Sequence, residues 1–277
     1  MTNVNFSYVD SALEHMEAGG EPPPFWRHFH WGLFDDPSVP DDSPERYFAA
    51  AEAMTDRVLQ AAGVAGGRQI LDVGCGFGGT LDHIRSRHDG CRLVGLNIDE
   101  RQVSWARRLL GLDKVEAPDI AFVTADGCSL PVADASLDHV LAVECIFHFP
   151  SRKAFFTEVA RVLRPGGTMA LSDFLMAPGA LSTVAGTMAA SGLGEDSWYG
   201  HMAKPLTSSG YERLARRTGL ELLVDDDVNE RTVPTYAALR RLAQEATSSD
   251  GVTSIDGIEE LATSGSLAYH VLSFTKP

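Results

Sequence analysis

The residues whose types and spacing invite chemistry begin at Ile70. The stretch Ile70-Leu71-Asp72-Val73-Gly74-Cys75-Gly76-Phe77-Gly78-Gly79 is an apolar run ending in a carboxylate, followed by closely spaced glycines. A buried parallel strand that runs into a tight loop and then a helix reads this way. Glycine has no Cβ, so the loop can take φ > 0 and let a ligand lie against the backbone. The helix start that follows offers that ligand unpaired N–H groups. Gly74, Gly76 and Gly79 satisfy the G-x-G-x-x-G spacing of a dinucleotide site. Asp72 opposes that reading, because its carboxylate would face an anionic pyrophosphate; it suits a ligand with a cationic amine. A dinucleotide also calls for an acid about 20 residues on, at the end of the second strand. Here the second strand, Arg92–Leu96, ends in Asn97.

Two further groups stand where apolar runs end. His148 follows the run Leu137–Glu144, and Asp173 closes Leu171-Ser172-Asp173. An imidazole with a pKa of ~6.5 accepts a proton at neutral pH, which makes His148 a candidate general base. Asp173 is placed to orient it or to hold a substrate.

The elements that must position these groups alternate. A helix over Ser43–Ala62, with Ser43 as cap and Pro44 at its first position, precedes the strand Arg68–Val73. Then follow helix Gly79–Arg87, strand Arg92–Leu96, helix Asp99–Leu110, and strands Ile120–Thr124 and Leu137–Glu144. Helix Ser151–Leu163 leads through Arg164-Pro165-Gly166-Gly167 into strand Thr168–Leu175. Helix Thr207–Thr218, strand Glu221–Val228, helices Thr232–Glu245 and Ser254–Ser264, and strand Leu267–Thr275 complete the chain. This is an α/β chain with a Rossmann-like, doubly wound, mostly parallel seven-stranded sheet and helices on both faces. Ligands of such a sheet bind at the C-terminal ends of its strands.

Two segments break the rhythm. Residues 1–44 are rich in aromatics, His and Pro, with a short helix expected around Asp10–Ala18 and an irregular remainder. So many large apolar groups must pack on the main domain, 45–277, or cover a ligand, so this arm is a candidate lid. Within the main domain, about 178–206 reads as an inserted helical cap that carries Trp198, Tyr199 and His201.

The totals set bounds. With 277 residues and 44% hydrophobic content, the chain buries a real core. A net charge of −15 without a basic stripe argues against nucleic acid as a partner. The four cysteines form no C-x-x-C pair, which predicts reduced thiols, a cytoplasmic setting and no metal site. No apolar stretch is long enough to span a bilayer. A monomer or homodimer is expected.

Four ordered motifs carry a family resemblance. They are Leu71-Asp72-Val73-Gly74-Cys75-Gly76-Phe77-Gly78, Gly95-Leu96-Asn97-Ile98 with Gln102, Ala125-Asp126-Gly127-Cys128-Ser129-Leu130-Pro131, and Leu163-Arg164-Pro165-Gly166-Gly167. In order and spacing the chain resembles the class I S-adenosylmethionine-dependent methyltransferases. The stretch His30-Trp31-Gly32-Leu33-Phe34-Asp35 is similar to one in small-molecule O-methyltransferases of natural-product pathways, although Leu33 replaces the usual aromatic. The resemblance implies S-adenosyl-L-methionine as cofactor, with S-adenosyl-L-homocysteine as product. It implies that Gly74, Cys75, Gly76 and Gly78 face the methionine carboxylate and ribose, with Asp72 near the ammonium. Asn97 stands where many relatives have an acid for the ribose hydroxyls, and Gln102 joins it. Ile98 would pack on adenine, Asp126 would accept from the adenine amine, and Gly127 or Cys128 would offer an N–H to the ring. Val143 and Glu144 would line the methionine end. His30, Trp31, Phe147, Trp198 and Tyr199 are the candidates for holding a small-molecule acceptor. Transfer to a hydroxyl with His148 as base leads; N- or C-methylation, or cyclisation without methyl transfer, are the alternatives.

Overall fold

The computed structural model describes residues 7–20, 22, 27–113, 117–193, 202–245 and 248–277. Trp198, Tyr199 and His201 therefore lie outside the described residues, as do Phe25 and Trp26.

The sheet grows outward from the strand that carries Asp72. That strand, β1 (Gln69–Val73), is flanked by β2 (Arg92–Asn97) and β4 (Leu137–Val143). β3 (Ile120–Thr124) lies outside β2, and β5 (Leu163–Met176) outside β4. These five strands run parallel. β6 (Glu221–Asp227) and β7 (Leu267–Thr275) complete the order β3-β2-β1-β4-β5-β7-β6, with β7 antiparallel to both neighbours. The chain thus winds one way from β1 and the other way from β4. The crevice between their tips is where such a sheet holds its ligand.

Both faces are covered. On one lie α2 (Pro44–Ala62), α3 (Gly79–Arg87), α4 (Glu100–Leu109) and α10 (Ser249–Thr263), whose Met54, Val58, Leu81, Ile84, Ala106 and Ile255 share one core. On the other lie α5 (Arg152–Val162) and α7 (Ser208–Thr218), whose Phe155, Phe156, Val159, Tyr211 and Ala215 form the second. α2 starts as its sequence dictates: Ser43 Oγ accepts from the Arg46 N–H at 3.3 Å, and Gly63 ends it with φ of 71°. No described helix is long and apolar enough to cross a membrane.

Several boundaries differ from the sequence reading, most by one to three residues and three of them for a visible reason. β5 begins at Leu163, because Gly166 N–H donates to the Lys276 carbonyl and Lys276 N–H to the Gly167 carbonyl, which draws the turn-like Arg-Pro-Gly-Gly into the sheet. The helix expected at Thr232–Glu245 starts instead at Pro234 (α9, Pro234–Glu245), preceded by a separate short helix, α8 (Asn229–Thr232), which Pro234, having no N–H, does not continue. α10 starts at Ser249 because Ser248 Oγ caps the Gly251 N–H at 3.1 Å.

The N-terminal segment forms α1 (Ser7–Glu17) and then, over 27–43, an arm without helix or strand. Val9, Leu13 and Met16 of α1 pack against Phe77 and Trp105. The arm is pinned along its length. Arg27 pairs with Asp82 at 3.0 Å, Gly32 N–H donates to Thr235 Oγ1 at 3.0 Å, and Leu33 N–H to the Ala50 carbonyl at 2.7 Å. Its backbone crosses directly over Gly79, where an added Cβ would stand 1.6 Å from the Arg27 carbonyl oxygen. Within the expected cap, α6 (Leu181–Ala190) packs on α10.

Candidate active site

A cavity of about 290 Å³ opens at the tips of β1, β2 and β4. Its walls combine the glycine loop, the segments after β2, β3 and β4, and Arg27, Phe29 and His30 of the arm.

Asp72 sits at its base, 2% exposed. Burial alone pushes its carboxyl up from 3.8 to about 7, with no compensating charge. A cationic group placed here would restore the ionised form. The loop above it turns on Gly74 (φ 76°) and Gly76 (φ 52°), both lining the cavity. A Cβ on Gly74 would strike Cys145 at 2.7 Å, so this turn demands glycine for space as well as for φ. Cys75 lines the cavity too, and burial pushes its thiol up. Gly78 does not line it. Its N–H closes the turn on the Cys75 carbonyl, and a Cβ there would meet Phe122.

At the end of β2, Asn97 and Gln102 are buried side by side in the cavity wall, Asn97 Nδ2 donating to Gln102 Oε1 at 3.4 Å. Asn97 Oδ1 also receives the Asp99 N–H at 3.0 Å, which fixes the amide's orientation. Two neutral amides so placed offer donors and acceptors to a diol. Ile98 lines the cavity while 41% exposed, so it is an apolar surface available to a flat ring and not part of the core. Asp126 and Gly127 form the rim beyond it. Asp126 Oδ1 accepts the Cys128 N–H at 2.8 Å, so that N–H is already used, and Cys128 itself lies outside the cavity.

The tip of β4 supplies Val143, Glu144 and His148. Glu144 takes φ of 50°, a left-handed turn that ends the strand one residue earlier than expected. Its Oε2 accepts from the Trp31 N–H at 2.7 Å and from the Tyr269 hydroxyl, while its own N–H donates to Ser172 Oγ at 3.1 Å. Burial dominates over these hydrogen bonds and pushes the carboxyl up to about 8. His148 ends a 3-10 turn, Ile146–His148, with the Phe147 ring edge-on at 4.4 Å between centroids.

The remaining expected residues lie elsewhere. Asp173 is buried outside the cavity, where it receives the Tyr211 hydroxyl and pairs with Arg152 at 3.3 Å. Trp31 and Phe147 are core residues, both packed against Phe174. His30 does line the cavity, but its ring is tied to the Trp31 carbonyl at 3.0 Å and to Thr55 Oγ1 at 3.1 Å; burial holds it neutral, with a pKa lowered to about 4. Arg27, Phe29, Val9 and Thr80 also line the cavity and were not singled out from the sequence. Arg27 and Phe29 fall in the aromatic arm, whose composition was the available signal; Val9 and Thr80 carried none.

Residues 71–171 match the family model described as a methyltransferase domain. The chain is 35% identical to the methyltransferase GfsG of Streptomyces halstedii over 84% of its own length and 78% of that protein. It is 30% identical to the O-methyltransferase resE of Aspergillus sclerotiorum over 87% of its length and 86% of that protein. The chain belongs to the S-adenosylmethionine-dependent methyltransferases. In fold it also matches the [4+2]-cyclase SpnF, with a TM-score of 0.73 at 22% identity over 98% of this chain and 94% of that one.

Proposed function

We propose that this methyltransferase transfers its methyl group to a hydroxyl oxygen of a small natural product, with His148 accepting the hydroxyl's proton. The observation that carries the reading is His148 in the cavity wall, four residues past Glu144 on the same strand tip. The O-methyltransferase name of the Aspergillus relative supports oxygen as the acceptor atom.

S-adenosylmethionine supplies a methyl group on a sulfonium, an electrophile that a lone pair displaces in line. The residues of the chain do the rest. Asp72 holds the ammonium, Asn97 and Gln102 the ribose hydroxyls, and Ile98 and Asp126 the adenine. The arm excludes water with Phe29 and His30 and is locked to the cofactor end by the Trp31 N–H on Glu144. His148 takes up the proton, so the acceptor oxygen need not carry positive charge after transfer. Asp173 acts from outside the cavity, holding α5 and α7 together through Arg152 and Tyr211. The described part of the arm, from Arg27 onward, serves as a lid through Arg27, Phe29 and His30 in the cavity wall.

His148→Ala tests the base. With a hydroxylated acceptor, kcat is expected to fall by about 10²–10⁴ while cofactor affinity stays near the parental value. Undiminished O-methylation by this variant sinks the assignment.

A further inference from the structure

Three nitrogen and oxygen donors from residues outside the cavity lining converge where the arm meets α2 and α3. His28 of the arm, Glu52 of α2 and His83 of α3 each bring a donor atom within 4.8 Å of the others. Their hydrogen bonds define the protonation pattern. The Trp31 carbonyl only accepts, so His30 Nδ1, 3.0 Å away, carries the ring proton and His30 Nε2 is a lone pair. His28 Nδ1 lies 3.2 Å from that lone pair and 3.4 Å from Thr55 Oγ1, which itself reaches His30 Nε2 at 3.1 Å; a proton on His28 Nδ1 satisfies this cluster, since two facing lone pairs would repel. His28 Nε2 is consequently bare; it is buried, on a residue 1% exposed, and has no hydrogen-bond partner. On α3, His83 Nε2 donates to Asp56 Oδ1 at 2.6 Å, while Arg87 Nη1 donates to His83 Nδ1 at 2.7 Å, so Nδ1 is a second lone pair. Glu52 Oε1 stands 3.8 Å from it.

We propose that His28, Glu52 and His83 bind a divalent cation of the zinc class, which staples the N-terminal arm across α2 and α3. Two neutral imidazoles and a carboxylate, with water as a fourth ligand, form a donor set suited to zinc or cobalt. Metal–ligand bonds of about 2.0–2.2 Å set neighbouring donors roughly 3.4 Å apart, so this triangle closes by small side-chain rotations. Asp56 on the far nitrogen of His83 is the outer carboxylate that orients a ligating imidazole. The space already holds a positive group. Arg87 reaches His83 Nδ1 and lies 3.6 Å from Glu52 on a side chain 43% exposed, so one cation replaces another and the guanidinium swings into water. His28 sits between Arg27 and His30, both of which line the cavity, so an ion here braces the arm over the cofactor.

The test uses the full chain, stripped with a chelator and titrated with Zn2+ against a chromogenic chelator. Co2+ absorbance serves as the second probe. One equivalent is expected to bind. His28→Gln and Glu52→Gln are each expected to weaken binding at least about tenfold. Arg87→Met should tighten it several-fold, which a surface site elsewhere would not do. Glu52 is partly exposed on a helix, so E52Q reports even if H28Q fails to fold. Zinc should also slow hydrogen exchange at the backbone of 28–33 in the parental protein and not in E52Q. Binding indifferent to E52Q and R87M, or substoichiometric binding, overturns the proposal.

Discussion

Replacing Asp72 with Asn separates the demands of the empty protein from those of the cofactor. The Asp72 carboxyl is raised from 3.8 to about 7 by burial alone. At ~1.36 kcal/mol per tenfold change in proton affinity, this corresponds to ~4 kcal/mol against the ionised form. A group whose folded pKa is raised contributes stability at low pH and loses it as pH climbs through that value. Near pH 8 the free protein therefore carries most of this penalty, and Asp72→Asn relieves it. The variant without cofactor should unfold at equal or higher denaturant than the parent near pH 8. Cofactor binding should respond in the opposite sense. A charge-assisted contact to the ammonium is worth ~1.5–3 kcal/mol, so affinity should fall about 10- to 150-fold. Parental binding should tighten as pH rises from about 5.5 to 7.5 and Asp72 ionises, while the variant shows a flatter profile. Calorimetric titration of S-adenosylhomocysteine across that range, with urea unfolding of the same samples, reads both effects. Parental affinity in the variant, or an unchanged pH profile, refutes the placement of the ammonium on Asp72.

Other substitutions probe neighbouring parts of the account. Ile98→Ala removes an exposed apolar surface, so free-protein stability should move by less than about 0.5 kcal/mol while cofactor affinity drops about fivefold; equal affinity would place the adenine elsewhere. Gly79→Ala sets a Cβ where the Arg27 carbonyl lies, so hydrogen exchange over 27–34 should quicken although alanine favours the helix; unchanged exchange would contradict the close approach. Arg152→Met strips a buried carboxylate of its cation and should cost ~3–5 kcal/mol in urea unfolding. Since Asp173 and Arg152 lie outside the cavity, cofactor affinity should remain within about twofold of the parent.

Much of this was legible in the chain, because the cofactor end is built from local signals. An apolar strand, a glycine turn and a capped helix are each written in consecutive residues, and β1, α3 and β3 fall where pattern reading sets them. The misplaced strand start and the misassigned Asp173 depend on contacts distant in sequence, whereas the starts of α9 and α10 follow from the local effects of Pro234 and Ser248. Arg164-Pro165-Gly166-Gly167 has turn chemistry, yet pairing with Lys276 makes it strand. Asp173 ends an apolar run, as a site residue would, but alternation along β5 assigns it to the other face. Ala170, Ser172 and Phe174 point with Trp31 and Tyr269, whereas Met169, Leu171, Asp173 and Leu175 point with Tyr211. Glu144 was expected near the cofactor. Its bond to the Trp31 N–H, which ties arm to site, joins residues 113 apart and leaves no trace in either segment.

The most direct measurement follows a 13C-labelled methyl group from S-adenosylmethionine into a hydroxylated natural-product acceptor. Released S-adenosylhomocysteine is counted, and the chemical shift of the new methyl identifies the atom that bears it. One S-adenosylhomocysteine per product, with the label on oxygen, is the predicted result. A label on carbon or nitrogen, or conversion of the acceptor with no S-adenosylhomocysteine released, would contradict it.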